Sequence, residues 1–357
     1  PRSTLFPYTT LFRSYHNQFE WKRSNAFAAK NLAEKVLAGS LDALASTVPT
    51  TGKAIYVYNP LNWERDDVVT VEDISDLPEH FIIKDGDTSI PYTVEDGTLT
   101  FVAPAIPAMG YKTFTVESVE AAPSFESKVT SGTDYIENAY YKVTFGADGT
   151  ISSILDKQNG NRELVDSASE AKFNQYQYYD DHGIPFANQG ADFGEDKWTL
   201  YTPDEAAGKL ELSETAVGAT AYLDTSTFRA DSIVQKVTLY NDMPRIDIEN
   251  TVVKTALPSL QDKEEAFYTF PFKAEDGYEI RYDLSAGNAA EGEQVYGTST
   301  DWYTAGKWVN VQDTDGYNMT LAIPDTSLLQ FGERRTGNWS FDYKSENPYI
   351  YSYVMNN

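Results

Sequence analysis

Tyr140-Tyr141-Lys142-Val143-Thr144-Phe145 and Thr150-Ile151-Ser152-Ser153-Ile154-Leu155 flank Gly146-Ala147-Asp148-Gly149. Two short, partly apolar runs rich in β-branched and aromatic residues, joined by a Gly/Asp turn, predict a β-hairpin. The same grammar continues to the C-terminus. Phe173–Tyr179, Lys209–Thr215, Thr220–Leu223, Ile233–Tyr240, Arg245–Val253, Ala266–Phe272, Tyr278–Leu284, Trp308–Gln312, Asn318–Ile323, Ser327–Phe331 and Tyr349–Val354 follow at even spacing. Many strands with short turns predict two packed antiparallel sheets, a large β-sandwich over 133–357. Pro271 and Pro324 lack the amide hydrogen of a central strand, so their runs are expected at edges or strand ends.

Upstream, Ala121–Ser131 reads as a polar connection. Before it, Ala54–Tyr58, Asp67–Val71, His80–Lys84, Thr98–Val102 and Tyr111–Val116 predict a small β domain over 53–118. Residues 46–53, STVPTTGK, are a linker by composition. Residues 15–46 are different. Ala29, Leu32, Ala33, Val36, Leu37, Leu41 and Leu44 recur at three- and four-residue steps, one face of a helix. Gly39-Ser40 is expected to interrupt it. One helix cannot bury such a stripe alone, so it packs on the β part or has helical partners elsewhere.

Residues 1–14, PRSTLFPYTTLFRS, contain no acid and no sustained period. From Thr4 to Ser14 they resemble an in-frame translation of a sequencing-adapter oligonucleotide. They are set aside as a non-native segment, which makes Tyr15 the point where reading began.

The chain carries 54 acidic against 28 basic residues, a net charge of −26, and no cysteine. That field repels phosphate backbones and anionic lipid, so nucleic acid and membrane surfaces are excluded as expected partners. It is compatible with a neutral glycan. The missing cysteines exclude disulfides, a thiol nucleophile and a cysteine zinc site. They also lean, with the lack of a visible export signal, toward a bacterial cytoplasmic protein.

Chemistry is hard to find. The only histidines are His16, His80 and His182, far apart in sequence. Asp180-Asp181-His182 could ligate a metal, but a polar turn ending a strand uses the same residues. No Gly-x-Ser-x-Gly elbow or phosphate-binding glycine loop is present. Paired carboxylates cannot be chosen by spacing among so many acids. Tyr176-Gln177-Tyr178-Tyr179-Asp180-Asp181 is the stretch best suited to a ligand: rings offer flat apolar faces to sugar C–H groups, and Gln and Asp can bond hydroxyls. An alternating strand with aromatic core residues has the same pattern.

Several stretches in order resemble the α-mannosidases of glycoside hydrolase family 38. They are Val57-Tyr58-Asn59-Pro60-Leu61-Asn62-Trp63; Glu137-Asn138-Ala139-Tyr140-Tyr141-Lys142-Val143, continuing to Asp156-Lys157; Arg162-Glu163-Leu164-Val165; Glu265–Phe272; Trp308-Val309; and Asn347-Pro348 through Met355-Asn356-Asn357. The resemblance implies a galactose-mutarotase-like large sandwich behind a small β domain and the last helix of a helical bundle. It implies that the whole enzyme retains stereochemistry when it hydrolyses terminal α-mannosides. The aspartate nucleophile, the acid/base and a zinc ion would sit in an N-terminal catalytic domain absent from these residues. Catalytic and metal-ligating residues are therefore expected to be none, with zinc as the cofactor of the parent enzyme and none bound here. The C-terminus is expected to be cut as well, because the family continues past Asn357. Tyr178, Tyr179, Asp180 and Asp181 are the expected substrate-binding residues, where the sandwich walls the cleft. A non-catalytic carbohydrate-binding or adhesin-like β-sandwich is the alternative, and a mutarotase-type sugar enzyme built around His182 is a third.

Overall fold

The computed structural model describes residues 8–181, 198–203, 208–255, 263–335 and 340–356. The chain divides into two compact units: one of residues 1–90 and 103–123, the other of residues 91–102 and 124–357.

The first unit opens with the helix Tyr8–Thr47. It begins inside the stretch set aside above and runs through Gly39-Ser40 without a break. Glycine in a helix interior costs about 1 kcal/mol without removing a backbone hydrogen bond, and Ser40 Oγ donates back to the Val36 carbonyl at 2.8 Å. Its apolar stripe is uncovered: Leu32, Val36, Leu37 and Leu44 are each half exposed or more. Its last turns line, with Tyr56, Tyr58 and Tyr111, an open groove of about 480 Å³. Behind the helix, Lys53–Asn59, Gly110–Ser118, Phe81–Asp85 and Thr88–Ile90 form one antiparallel sheet in that order. Ile55 stands opposite Phe114 and Ile83 opposite Val116. Phe81, Ile83 and Phe114 are buried in it.

The second unit is the large sandwich. The opening hairpin is present: Tyr141–Phe145 pairs antiparallel with Ile151–Asp156, with Gly149 at φ +81°, where glycine escapes the Cβ clash. These strands lie in a five-stranded sheet. A six-stranded sheet has the order Trp198–Tyr201, Gln175–Asp181, Lys263–Pro271, Tyr349–Asn356, Leu328–Phe331 and Tyr303–Thr304. One four-stranded sheet is Glu211–Thr215, Gly218–Thr227, Ala230–Tyr240 and Ile246–Lys254. Another is Gly287–Ala290, Glu279–Leu284, Trp308–Gln312 and Asn318–Ala322. All four sheets feed one core, which joins Val143 and Ile154, Tyr176 and Ala266, Val237 and Leu239, and Val309 and Val311. Pro271 closes its strand, and Pro324 follows the end of another. The expected fold class, mainly β with a large antiparallel sandwich after a helix and small β sheets, is the observed one.

Candidate functional site

The strand Gln175–Asp181 lies between Trp198–Tyr201 and Lys263–Pro271. Because side chains alternate across a strand, its residues part to two faces. Tyr176, Tyr178 and Asp180 turn into the sandwich; Gln175, Gln177 and Tyr179 turn the other way.

On the inner face Tyr178 is 1 % exposed and Asp180 5 %. The Tyr178 hydroxyl donates to Glu264 Oε2 at 2.6 Å, and Lys254 Nζ donates to Glu264 Oε1 at 2.6 Å. Arg229 reaches both residues of the strand, with Nη1 3.1 Å from the Tyr178 hydroxyl and 3.0 Å from Asp180 Oδ1. Burial, reinforced by the Glu264 carboxylate, pushes the Tyr178 phenol far above its ordinary value, so it stays a donor at any physiological pH. Arg229 is delivered by the tight connection between Gly218–Thr227 and Ala230–Tyr240, where it sits at φ +58°. A non-glycine residue there costs roughly 1 kcal/mol or more, which the charge network offsets. Tyr178 also packs against Phe228 and Tyr201, whose rings stack at 4.3 Å.

The outer face holds a second, smaller cluster of Phe267, Tyr351 and Tyr353, with Tyr179, Trp302 and Tyr349 half-buried against it. The Arg334 guanidinium lies 3.9 Å over the Tyr179 ring and 4.6 Å over the Trp198 ring. It is pinned to Glu265, Nε to Oε2 at 3.0 Å. Burial raises the Glu265 pKa, and the Arg334 charge opposes that. The Tyr179 hydroxyl donates to Gln177 Oε1 at 3.1 Å, and Trp302 Nε1 donates to the Tyr353 hydroxyl at 3.0 Å. Next to it Asp301 takes Arg335 Nε at 2.8 Å and the Ser340 amide at 2.9 Å.

Of the four residues singled out in the sequence, Tyr179 alone has a described side chain on the outer face. Tyr178 and Asp180 are interior groups with no surface to offer a sugar. The Asp181 backbone pairs with Lys263 and Trp198, while its side chain, like His182, lies outside the described residues. Arg229, Glu264 and Arg334 were not singled out. Their only signal was sign: cations and acids inside apolar runs must find partners. Among the described residues no three His, Cys, Asp or Glu side chains converge, so the donor set zinc needs is not assembled there. Among the same residues no helix is long and apolar enough to cross a membrane.

The comparisons decide the family. Residues 136–321 match the glycosyl hydrolases family 38 C-terminal domain. The chain belongs to this family. No curated protein sequence matches it. Among solved structures it is similar to an α-mannosidase from Enterococcus faecalis V583, with 13 % identity and a TM-score of 0.57 over 87 % of this chain. A glycosyl hydrolase family 38 protein from Enterococcus faecalis gives 12 % identity and a TM-score of 0.56 over 86 % of this chain. At those identities the likeness is one of fold. The chain spans 40 % and 41 % of the length of the two proteins.

Several residues that carry the family 38 resemblance turn out to be architectural. Asn138 is buried; its amide donates to the Tyr240 carbonyl at 2.8 Å and its oxygen accepts from the amides of Tyr140 and Tyr141. Asp156 caps the short 3-10 turn Lys157–Asn159 and accepts from the Tyr317 hydroxyl. Glu163 accepts from the Ile154 and Val165 amides. Asn59, fully buried in the first unit, donates to the carbonyls of Trp63, Ile106 and Pro107. Each satisfies backbone groups of irregular turns that would otherwise be buried unpaired.

Proposed function

We propose that this chain is the C-terminal, non-catalytic portion of a retaining α-mannosidase that removes terminal α-mannosides from oligosaccharides, and that its large sandwich walls the substrate cleft. The observation that carries the reading is the family 38 C-terminal match, joined to a fold shared over most of this chain with less than half of an α-mannosidase. The state of the acids supports it. Retaining hydrolysis needs two carboxyl groups about 5 Å apart around an accessible sugar. The buried acids described in the sandwich are instead tied: Asp180 to Arg229, Glu264 to Lys254, Glu265 to Arg334, Asp301 to Arg335, Asp313 to Arg162 and Asp148 to Lys172, while Asp156 accepts from the Asn159 side-chain amide and the Tyr317 hydroxyl. They hold the fold. The zinc that the family 38 resemblance implies for the whole enzyme is placed, in this reading, in its N-terminal catalytic domain.

In this reading the inner-face network locks the strand Gln175–Asp181, and the strand presents the edge of Tyr179 beside Arg334. A ring edge fixed this way lines one side of the cleft beside a sugar and excludes water from it. The test is kinetic, on the complete enzyme. Tyr179→Ala is expected to raise KM for an aryl α-mannoside about tenfold while kcat falls less. Unchanged KM would remove this face from the cleft.

A further inference from the structure

The outward side of the sheet Gly287–Ala290, Glu279–Leu284, Trp308–Gln312 and Asn318–Ala322 carries a feature that the mannosidase reading does not use. Val309 and Val311 point into the core, so Trp308 and Asn310 point out. Around half-buried Trp308 stand Arg281, Asn288, Asn310 and Thr320, lining a shallow depression of about 330 Å³. The strand neighbour of Trp308 is Ala322, too small to cover the flank of an indole.

The polar groups are held in place. Asn310 Nδ2 donates to Thr320 Oγ1 at 2.9 Å, Arg281 Nε donates to Asn288 Oδ1 at 2.8 Å, and Arg281 Nη1 donates to Glu279 Oε1 at 2.7 Å. Those bonds use one function each of Asn288, Asn310 and Thr320. The Asn288 NH2, the Asn310 carbonyl oxygen, the Thr320 hydroxyl hydrogen and the Trp308 indole N–H have no protein partner among the described residues. A flat ring is thus bordered by fixed donors and acceptors. The charge of Arg281 is offset by Glu279, and a net charge of −26 repels polyanions. Both facts disfavour an anionic ligand, and the uncharged side chains around the ring suit a neutral one.

We propose that this face is a saccharide-binding platform for a neutral hexopyranose unit of an oligosaccharide, its C–H face on Trp308 and its hydroxyls on Asn288, Asn310 and Thr320. It stands whether or not the mannosidase reading holds. Affinity gel electrophoresis of the chain in yeast mannan and in hydroxyethylcellulose tests it. Retardation is expected in at least one gel. Trp308→Ala should weaken it about tenfold, the scale of a lost aromatic platform. Thr320→Glu, an exposed position away from the core, should weaken it too, and it decides the matter if Trp308→Ala is misfolded by circular dichroism. Lys236→Ala, exposed on the sheet of Gly218–Thr227 and Ala230–Tyr240, should migrate like the parent chain. No retardation of the parent in either gel, equal retardation of Trp308→Ala or, where that variant misfolds, of Thr320→Glu, or an equal loss in Lys236→Ala, overturns the platform.

Discussion

Asn138 bonds across to a carbonyl more than a hundred positions away, at Tyr240, and to two amides beside itself. Removing its side chain leaves several buried backbone groups unpaired, so Asn138→Ala should cost about 2–3 kcal/mol, read as a lower urea midpoint with unchanged slope. An unaltered midpoint would mean that water replaces the amide freely. A second test is titration. Burial would raise the Asp301 pKa, but Arg335 and Ser340 outweigh it and hold the carboxyl below its ordinary value. A depressed folded pKa stabilises above the unfolded value, about 3.9, and that stability is lost as pH falls through the folded value. The stability gap between the parent and Asp301→Asn should therefore be constant above roughly pH 5 and shrink toward pH 2. A gap independent of pH would show that Asp301 carries no charge-linked stability. These roles were hidden in the sequence. Asn138 stood out only as part of a resemblance, because its partner lies on a strand that pairing, not spacing, brings near. Tyr178 and Asp180 were read as surface groups for a related reason: strand parity says that they share a face, but which face is inner depends on Lys254, Arg229 and Glu264 arriving from other strands.

Whole elements were easier to read. The Tyr140–Leu155 hairpin, the strand runs after it and the helix follow from local period and turn chemistry, signals complete within a dozen residues. Sheet membership did not. Nothing local says that Gln175–Asp181 inserts between Trp198–Tyr201 and Lys263–Pro271, or that Trp302 and Arg334 close over its far side. The helix Tyr8–Thr47 shows the same limit in reverse: its stripe was visible, yet Leu32, Val36, Leu37 and Leu44 remain exposed. Most helix stability in proteins comes from tertiary packing. Amides of residues 18–36 should therefore exchange with solvent far faster than those of the buried strand Ala230–Tyr240 in native-state hydrogen exchange. Equal protection would mean that the stripe is covered in solution, by a second chain or otherwise.

At the scale of the molecule, family 38 membership and a β-sandwich whose described buried acids are bonded within it point the same way. The chain is strongly acidic, and those buried acids serve its own architecture. The catalytic carboxylates and the zinc are proposed to lie on another part of the parent enzyme. The direct measurement is release of the aryl group from an aryl α-mannoside by the purified chain, with zinc added. The expected rate is that of the buffer alone. Turnover above it, abolished by replacing a single carboxylate of this chain, would contradict the account and place an active site within these residues.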